Sequence, residues 1–116
     1  MWICLGLASQ AGATDELSHT FAGCAGRMSA EMEHAWLMGD DPVQAEAERL
    51  SFLSLLEATM QPADGHAVLA HRIESKLAQA SLLTIGTFHD DNTRARHARL
   101  RSVWHVTQCR DILLGG

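Results

Sequence analysis

The stretch Phe21-Ala-Gly-Cys-Ala-Gly-Arg-Met-Ser-Ala-Glu-Met-Glu-His-Ala-Trp36 decides the fold of this chain. Its apolar side chains, together with the leucine one turn earlier, recur at steps of three and four residues, which is the spacing of one helical face. The members of this stripe are Leu17, Phe21, Cys24, Met28, Met32 and Trp36. The residues between them are mostly small: Ala22, Gly23, Ala25, Gly26, Ser29 and Ala30. The stretch therefore predicts the middle of a first helix that a neighbouring backbone can approach closely.

Cys24 has one obvious partner, Cys109, near the other end of the chain. Cys24 lies about nine residues into the first predicted helix and Cys109 about five residues from the end of the last, so at 1.5 Å per residue their heights differ by roughly one turn. In an antiparallel bundle the two can meet, and we expect a disulfide between them. The alternative is a pair of buried, reduced thiols.

Residues 1–13 resemble a signal peptide in composition. Trp2 to Ala8 is a short apolar run, and Ala11-Gly12-Ala13 fits a small-x-small cleavage site. No Lys or Arg precedes the run, so we expect a signal peptide that is truncated at its start, followed by one domain over residues 14–116. The alternative is the apolar N-terminus of a cytosolic protein. Cleavage after Ala13 removes Cys4, so a chain exported to the periplasm or the medium has two cysteines in an oxidising compartment. This favours the disulfide. We expect no membrane anchor.

The composition favours helices. Ala and Leu dominate, Val and Ile are scarce, and Tyr is absent from the 116 residues. Breaks at residues 39–42, 62–65 and 90–92 divide the domain into helices over about 14–38, 42–60, 64–89 and 93–114. N-caps are expected at Thr14 or Asp15, at Asp41 and within residues 90–92. Four helices of similar length with short joints predict an all-α, antiparallel up-down-up-down four-helix bundle.

Each later helix has an apolar stripe that we predict to face the core. On the second helix the stripe is Val43, Ala47, Leu50, Leu53, Leu56 and Met60, with Phe52 and Leu55 beside it. On the third it is Leu69, Ile73, Leu77, Ala80, Thr84 and Phe88. On the fourth it is Ala95, Ala98, Ser102, Val106, Cys109 and Leu113. Leu100 and Trp104 point away from this last stripe.

Charge is unevenly distributed along the chain. The net charge is -5, which disfavours nucleic-acid binding, yet five arginines and no acidic residue occur between Asn92 and Arg110. An exposed aromatic ringed by arginines is typical of protein interfaces. We therefore predict that Leu100, Arg101 and Trp104 form an interface with a protein partner or a second copy of the chain. The alternative is that Trp104 packs inward and the arginines balance the acidic helices.

No sequence motif of an enzyme is present: there is no His-Glu-x-x-His, Gly-x-Ser-x-Gly or phosphate-binding glycine loop. Of the seven histidines, no two are three or four residues apart, and the Glu31-x-x-His34 step of di-metal bundles occurs once. We expect no metal or cofactor and no catalysis. Two alternatives stay open, a b-type haem held by Met28 and His105 and a carboxylate–histidine metal site.

The sequence thus predicts a secreted or periplasmic bundle that acts as a non-enzymatic protein-binding or structural module. The alternative function is that of a cofactor- or metal-binding bundle.

Overall fold

The computed structural model describes the backbone of residues 2–115 and the side chains from Asp15 onward. Within this range the chain forms α1 (Trp2–Met38), α2 (Val43–Thr59), a single 3₁₀ turn (Pro62–Asp64), α3 (Gly65–Phe88) and α4 (Asn92–Leu113). The helix directions alternate, and a disulfide joins Cys24 to Cys109, whose Cα atoms are 5.6 Å apart. The protein is therefore an all-α, up-down-up-down four-helix bundle, and the predicted fold class is confirmed.

The N-terminal part of α1 differs from the sequence-based expectation. A helix start near Thr14 and Asp15 was predicted, but α1 runs unbroken from Trp2. Helix-favouring alanines and the lack of proline before Asp15 explain why nothing interrupts it. The predicted signal peptide, residues 1–13, lies outside the residues whose side chains are described, and it stays a prediction.

The first helix is the central one, because both α2 and α3 pack along it. α1 and α3 run parallel, because contacts between them advance in the same direction along both chains. Gly23 lies against His71, and further along both helices His34 contacts Thr87 at 3.3 Å. α2 runs antiparallel to α1, with Arg49 donating a hydrogen bond to the Ser29 hydroxyl at 3.0 Å. Along the chain the directions alternate, but in space the closest neighbour of α1 is the parallel helix α3.

Small residues on α1 allow α3 to approach it. A Cβ atom on Gly26 would overlap the carbonyl oxygen of Arg72 and lie 3.0 Å from the backbone nitrogen of Lys76. All six small residues of the central stretch are buried: Ala22, Gly23, Ala25, Gly26, Ser29 and Ala30. The predicted close approach of a neighbouring backbone is confirmed, and α3 supplies that backbone.

The apolar core joins all four helices. Its largest fully buried apolar side chains are Met28 of α1 and Phe52 of α2. The predicted inner stripe of α2 is wrong at Val43, Ala47 and Leu50, which are exposed, whereas Phe52, predicted to lie beside the stripe, is fully buried. The remaining buried members of the core cluster are Phe21, Ala22, Cys24, Ala25, Leu56, Val68, Val106 and Cys109.

The predicted inner face of α3 is wrong. Leu69, Ile73, Leu77 and Phe88 are exposed, with 49–64% of their surface accessible. The opposite face is buried, and its members are Val68, Ser75, Gln79 and Gly86. The reason is steric. α1 lies against this side of α3, and α4 approaches it at Gly86, where a Cβ atom would lie 2.7 Å from Cγ of Arg99. Large side chains therefore turn outward.

The fourth helix matches its prediction. Five of its six predicted inner residues are buried, namely Ala95, Ala98, Ser102, Val106 and Cys109, and Leu113 is half-buried. Asp91 caps the helix start, its carboxylate accepting hydrogen bonds from the backbone N–H groups of Thr93 (3.0 Å) and Arg94 (3.3 Å).

In the part of the chain described, no helix is both long enough and apolar enough to cross a membrane.

Substituting the glycine at the α1–α3 contact tests this packing. We expect Gly26→Ala to lower the free energy of unfolding by about 1–3 kcal/mol, the usual range for overpacking, because the added methyl meets backbone that cannot rotate away. Gly65→Ala is the matched control. Gly65 has φ -52° and ψ -42°, and no atom lies within 4 Å of its Cβ position. That change should stabilise by about 0.4–1 kcal/mol. Urea denaturation measures both, and equal stability of Gly26→Ala and wild type would contradict the close approach.

The disulfide gives a second prediction. Cys24 and Cys109 are 85 residues apart, so the bond closes a loop worth on the order of 4 kcal/mol in the chain-entropy model. The non-reduced protein should show no titratable thiol at these two positions, and reduction should lower its melting temperature. Two reactive thiols in protein recovered from an oxidising compartment would reject the bond.

Candidate functional site

A groove of about 640 Å³ lies between α3 and α4, with α1 at its base. We call it the basic groove. Helix α1 contributes Thr20, Gly23, Cys24 and Arg27, and α3 contributes His71 and Ser75. The remaining lining residues come from α4 and the residue directly after it: Trp104, His105, Gln108, Cys109, Asp111, Ile112 and Leu114. The disulfide thus forms part of the groove lining.

Arg27 is the fixed cation of the basic groove. Its Nη1 donates a 2.7 Å hydrogen bond to Oε1 of Gln79, which is fully buried. The Gln79 amide nitrogen donates in turn to Oε2 of Glu31 (2.9 Å) and to the carbonyl of Ser102 (3.2 Å). Among the described residues, no carboxylate oxygen lies within 4.0 Å of the Arg27 guanidinium. Burial and the nearby Arg101 charge lower the pKa of Arg27.

Two histidines stand beside Arg27. The ring of His71 stacks on that of His19, with centroids 3.5 Å apart and planes inclined by 15°. Burial lowers the pKa of His71; the neighbouring His19 and Arg27 act in the same direction, and the Glu74 carboxylate acts against them. Burial also lowers the pKa of His105, followed by the charges of Arg27 and Arg101. Both imidazoles are therefore neutral at pH 7, because an ordinary histidine titrates near 6.5.

The predicted interface residues lie together on the outside of α4. Trp104 and Leu100 are 58% and 60% exposed, and with Arg101 and His97 they line a shallow hollow of about 440 Å³. The Trp104 ring meets His105 edge-on at 5.0 Å between centroids. Trp104 does not pack inward, and it lines both this hollow and the basic groove. The interface role of Leu100, Arg101 and Trp104 stays a prediction.

The outside of α3 forms another surface, which the sequence analysis had placed in the core. At 100° per residue, the side of α3 opposite Ser75 and Gln79 carries no charged residue over five turns. We call it the α3 outer face, and its members are Leu69, Ala70, Ile73, Leu77, Ala80, Ser81, Thr84 and Phe88. Glu74 and Lys76 border it on either side.

The residues predicted for the alternative haem and metal sites lie in different environments. Met28 is fully buried in the apolar core and is not among the groove-lining residues, whereas His105 lines the groove. Glu31 accepts a hydrogen bond from Gln79, and His34 contacts Thr87. Within the described residues, no group of three or more His, Cys, Asp or Glu side chains is placed to hold a metal ion. Haem or metal binding stays a prediction.

Sequence reasoning did not single out Arg27, His71 or Gln79. One signal was available, because Ser75, Gln79 and Gly86 recur at helical spacing on α3 and are small or polar. Such residues match the small stripe of α1, so the two stripes can face each other.

No protein-family model, curated protein or solved structure matches the chain, so its family is not shown.

The lowered histidine pKa values predict a pH dependence of stability. Below about pH 6.5 the unfolded chain takes up protons at His71 and His105 before the folded chain does, so the free energy of unfolding falls as the pH is lowered. Thermal melts at about pH 7.5 and 5.5 should show a smaller loss for the His71→Gln/His105→Gln variant than for wild type. The exposed His97→Gln serves as the control. An unchanged pH dependence in the double variant would contradict the assignment.

Proposed function

We propose that this protein is an exported, non-enzymatic binding module that associates with another protein through the α3 outer face, and that the partner is a second copy of the chain. The observation that carries the proposal is the uncharged, apolar character of this face. Four of its residues are large and apolar, and each leaves about half or more of its surface accessible: Leu69, Ile73, Leu77 and Phe88. Contiguous exposed apolar surface marks interaction sites.

The absence of charge on the α3 outer face makes it the side through which two acidic copies can approach each other. The chain has a net charge of -5, so two copies repel each other over most approaches. The helices α2 and α4 present charges outward, with Glu46 and Glu57 on α2 and Arg96 and Arg101 on α4. The α3 outer face is a surface on which two copies meet without placing like charges opposite each other, which is what an isologous interface requires.

The size of the face sets the expected strength. From Leu69 to Phe88 it extends roughly 28 Å along the helix. A single helix face of this length falls short of the ~800 Å² per partner of a standard interface. The association should therefore be weak and reversible, as in a transient contact.

Export is the second part of the proposal. The Cys24–Cys109 disulfide is compatible with an oxidising, extracytoplasmic compartment, because such bonds are rare in reducing ones. The apolar run and small-x-small site of residues 1–13 supply the other support.

Sedimentation equilibrium of the disulfide-bonded protein, at roughly 5 to 200 µM to bracket a micromolar Kd, tests the partner. We expect a monomer–dimer equilibrium in the wild type. Leu77→Glu should give a monomer, because it places two charges opposite each other at the centre of the face. Glu is a good helix former and Leu77 is 64% exposed, so helical content and melting temperature should stay within experimental error.

Variants on α4 distinguish the two candidate surfaces. Leu100 is as exposed as Leu77, so Leu100→Glu is the matched control and should leave the dimer intact. If Leu100→Glu, or Trp104→Ala combined with Arg101→Glu, dissociates the dimer and Leu77→Glu does not, the interface is the α4 surface. A wild type that is monomeric over the whole range rejects a second copy as the partner.

A further inference from the structure

Among the described residues, the basic groove is lined by one permanently charged cation, Arg27, and by the two histidines His71 and His105. Arg27 and His105 line it, and Arg101 is close enough to lower the pKa of both. Asp111 is the one carboxylate among the described residues that line it. Arg27 lowers the pKa of His71 as well, so the basic groups of the groove act on one another. Because no carboxylate among the described residues pairs with the Arg27 guanidinium, a bound anion would supply its charge partner.

Arg27 is positioned in advance for such an anion. Its hydrogen bond to the buried Gln79 holds the guanidinium, and Gln79 is itself held by Glu31 and the Ser102 carbonyl. One N–H of the guanidinium is used in this way, and Arg27 still lines the groove. A guanidinium that presents parallel N–H donors is suited to binding carboxylate in a bidentate manner. The groove also carries the hydroxyl groups of Thr20 and Ser75 and the amide of Gln108.

The α4 side of the groove contributes apolar surface beside the polar His105, Gln108 and Asp111. Trp104 lies beside His105 on α4. Ile112, near the end of α4, and Leu114, directly after the helix, also line the groove. Leu114 is 84% exposed and Trp104 58%, so both offer surface that a ligand can cover. The groove volume of about 640 Å³ lies within the usual range of small-molecule sites. A ligand that fits both sides carries one negative group and an apolar body.

We propose that the basic groove binds an organic monocarboxylate, with the carboxylate on Arg27 and the apolar body against Trp104 and Ile112. The site lies apart from the α3 outer face, so it goes beyond the proposed function and does not depend on it. Octanoate is a suitable probe because it combines a carboxylate with a medium-length apolar chain.

The pH dependence of binding follows from the groups around the site. On α1 these groups are Arg27 and His19, and on α3 they are His71 and Glu74. On α4 they are Arg101, His105 and Asp111. As the pH falls from about 7.5 to 5.5, His71 and His105 gain positive charge while the octanoate carboxyl, with an ordinary pKa near 4–5, stays ionised. Octanoate should therefore bind more tightly at the lower pH.

Isothermal titration calorimetry with four probes tests the proposal. Octanoate should bind saturably with one site per chain, and acetate, octan-1-ol and inorganic phosphate should each bind at least about tenfold more weakly, a loss of 1.4 kcal/mol or more. Octan-1-ol binding as tightly as octanoate would overturn the role of the anion. Acetate or phosphate binding as tightly would overturn the role of the apolar side.

Variants locate the site. Arg27→Gln should weaken octanoate binding at least about tenfold, and Arg94→Gln, on an exposed part of α4 outside the groove, should leave it unchanged. Because Arg27→Gln also alters the contact with Gln79, Trp104→Ala provides a second test at an exposed position, with melting curves recorded for each variant. Octanoate binding that is unaffected by both Arg27→Gln and Trp104→Ala, or absent from the wild type, would overturn the proposal.

Discussion

The structure depends on the close contact between α1 and α3 at Gly26. The backbone of α3 lies where a Cβ atom of any larger residue would be, so the two helix axes are set by main chain and not by interlocking side chains. This contact fixes which side of α3 faces inward. Small and polar residues occupy the part of that side that meets α1, because leucine does not fit there, and the apolar residues Leu69, Ile73, Leu77 and Phe88 lie on the outer surface.

A polar inner side needs hydrogen-bond partners, since an unpaired buried amide costs about 1–3 kcal/mol. Gln79 meets this need: its oxygen accepts from Arg27 and its nitrogen donates to Glu31 and to the Ser102 carbonyl of α4. The same side chain therefore joins three helices and holds Arg27 at the base of the groove. The disulfide ties α4 to α1 on the neighbouring turn of α1, so the groove has covalent and hydrogen-bonded support.

Much of the fold could be predicted from periodicity, and the exception on α3 has a steric cause. The inner face of α4, the Cys24–Cys109 pair and the middle of the α1 stripe, from Phe21 to Met32, followed from residue spacing. The two ends of the predicted α1 stripe were wrong, because Leu17 and Trp36 are exposed, with 49% and 57% of their surface accessible. On α3 the most apolar stripe was assigned to the core, because burial normally follows hydrophobicity. Here the tight contact with α1 excludes large side chains, and that information is carried by the glycines of another helix. The basic groove brings Arg27, His71 and His105 together from three helices, and no local motif encodes this arrangement.

The two proposed surfaces lie on nearly opposite sides of α3. Ser75, which lines the groove, and Leu77, at the centre of the outer face, are two residues apart and hence about 200° apart around the helix axis. Two copies that pair through their α3 outer faces would leave both grooves facing solvent. The same steric constraint accounts for both surfaces: by excluding large side chains from the α1 contact, it creates the apolar outer face, and by selecting Gln79 for the inner face, it positions Arg27 in the groove.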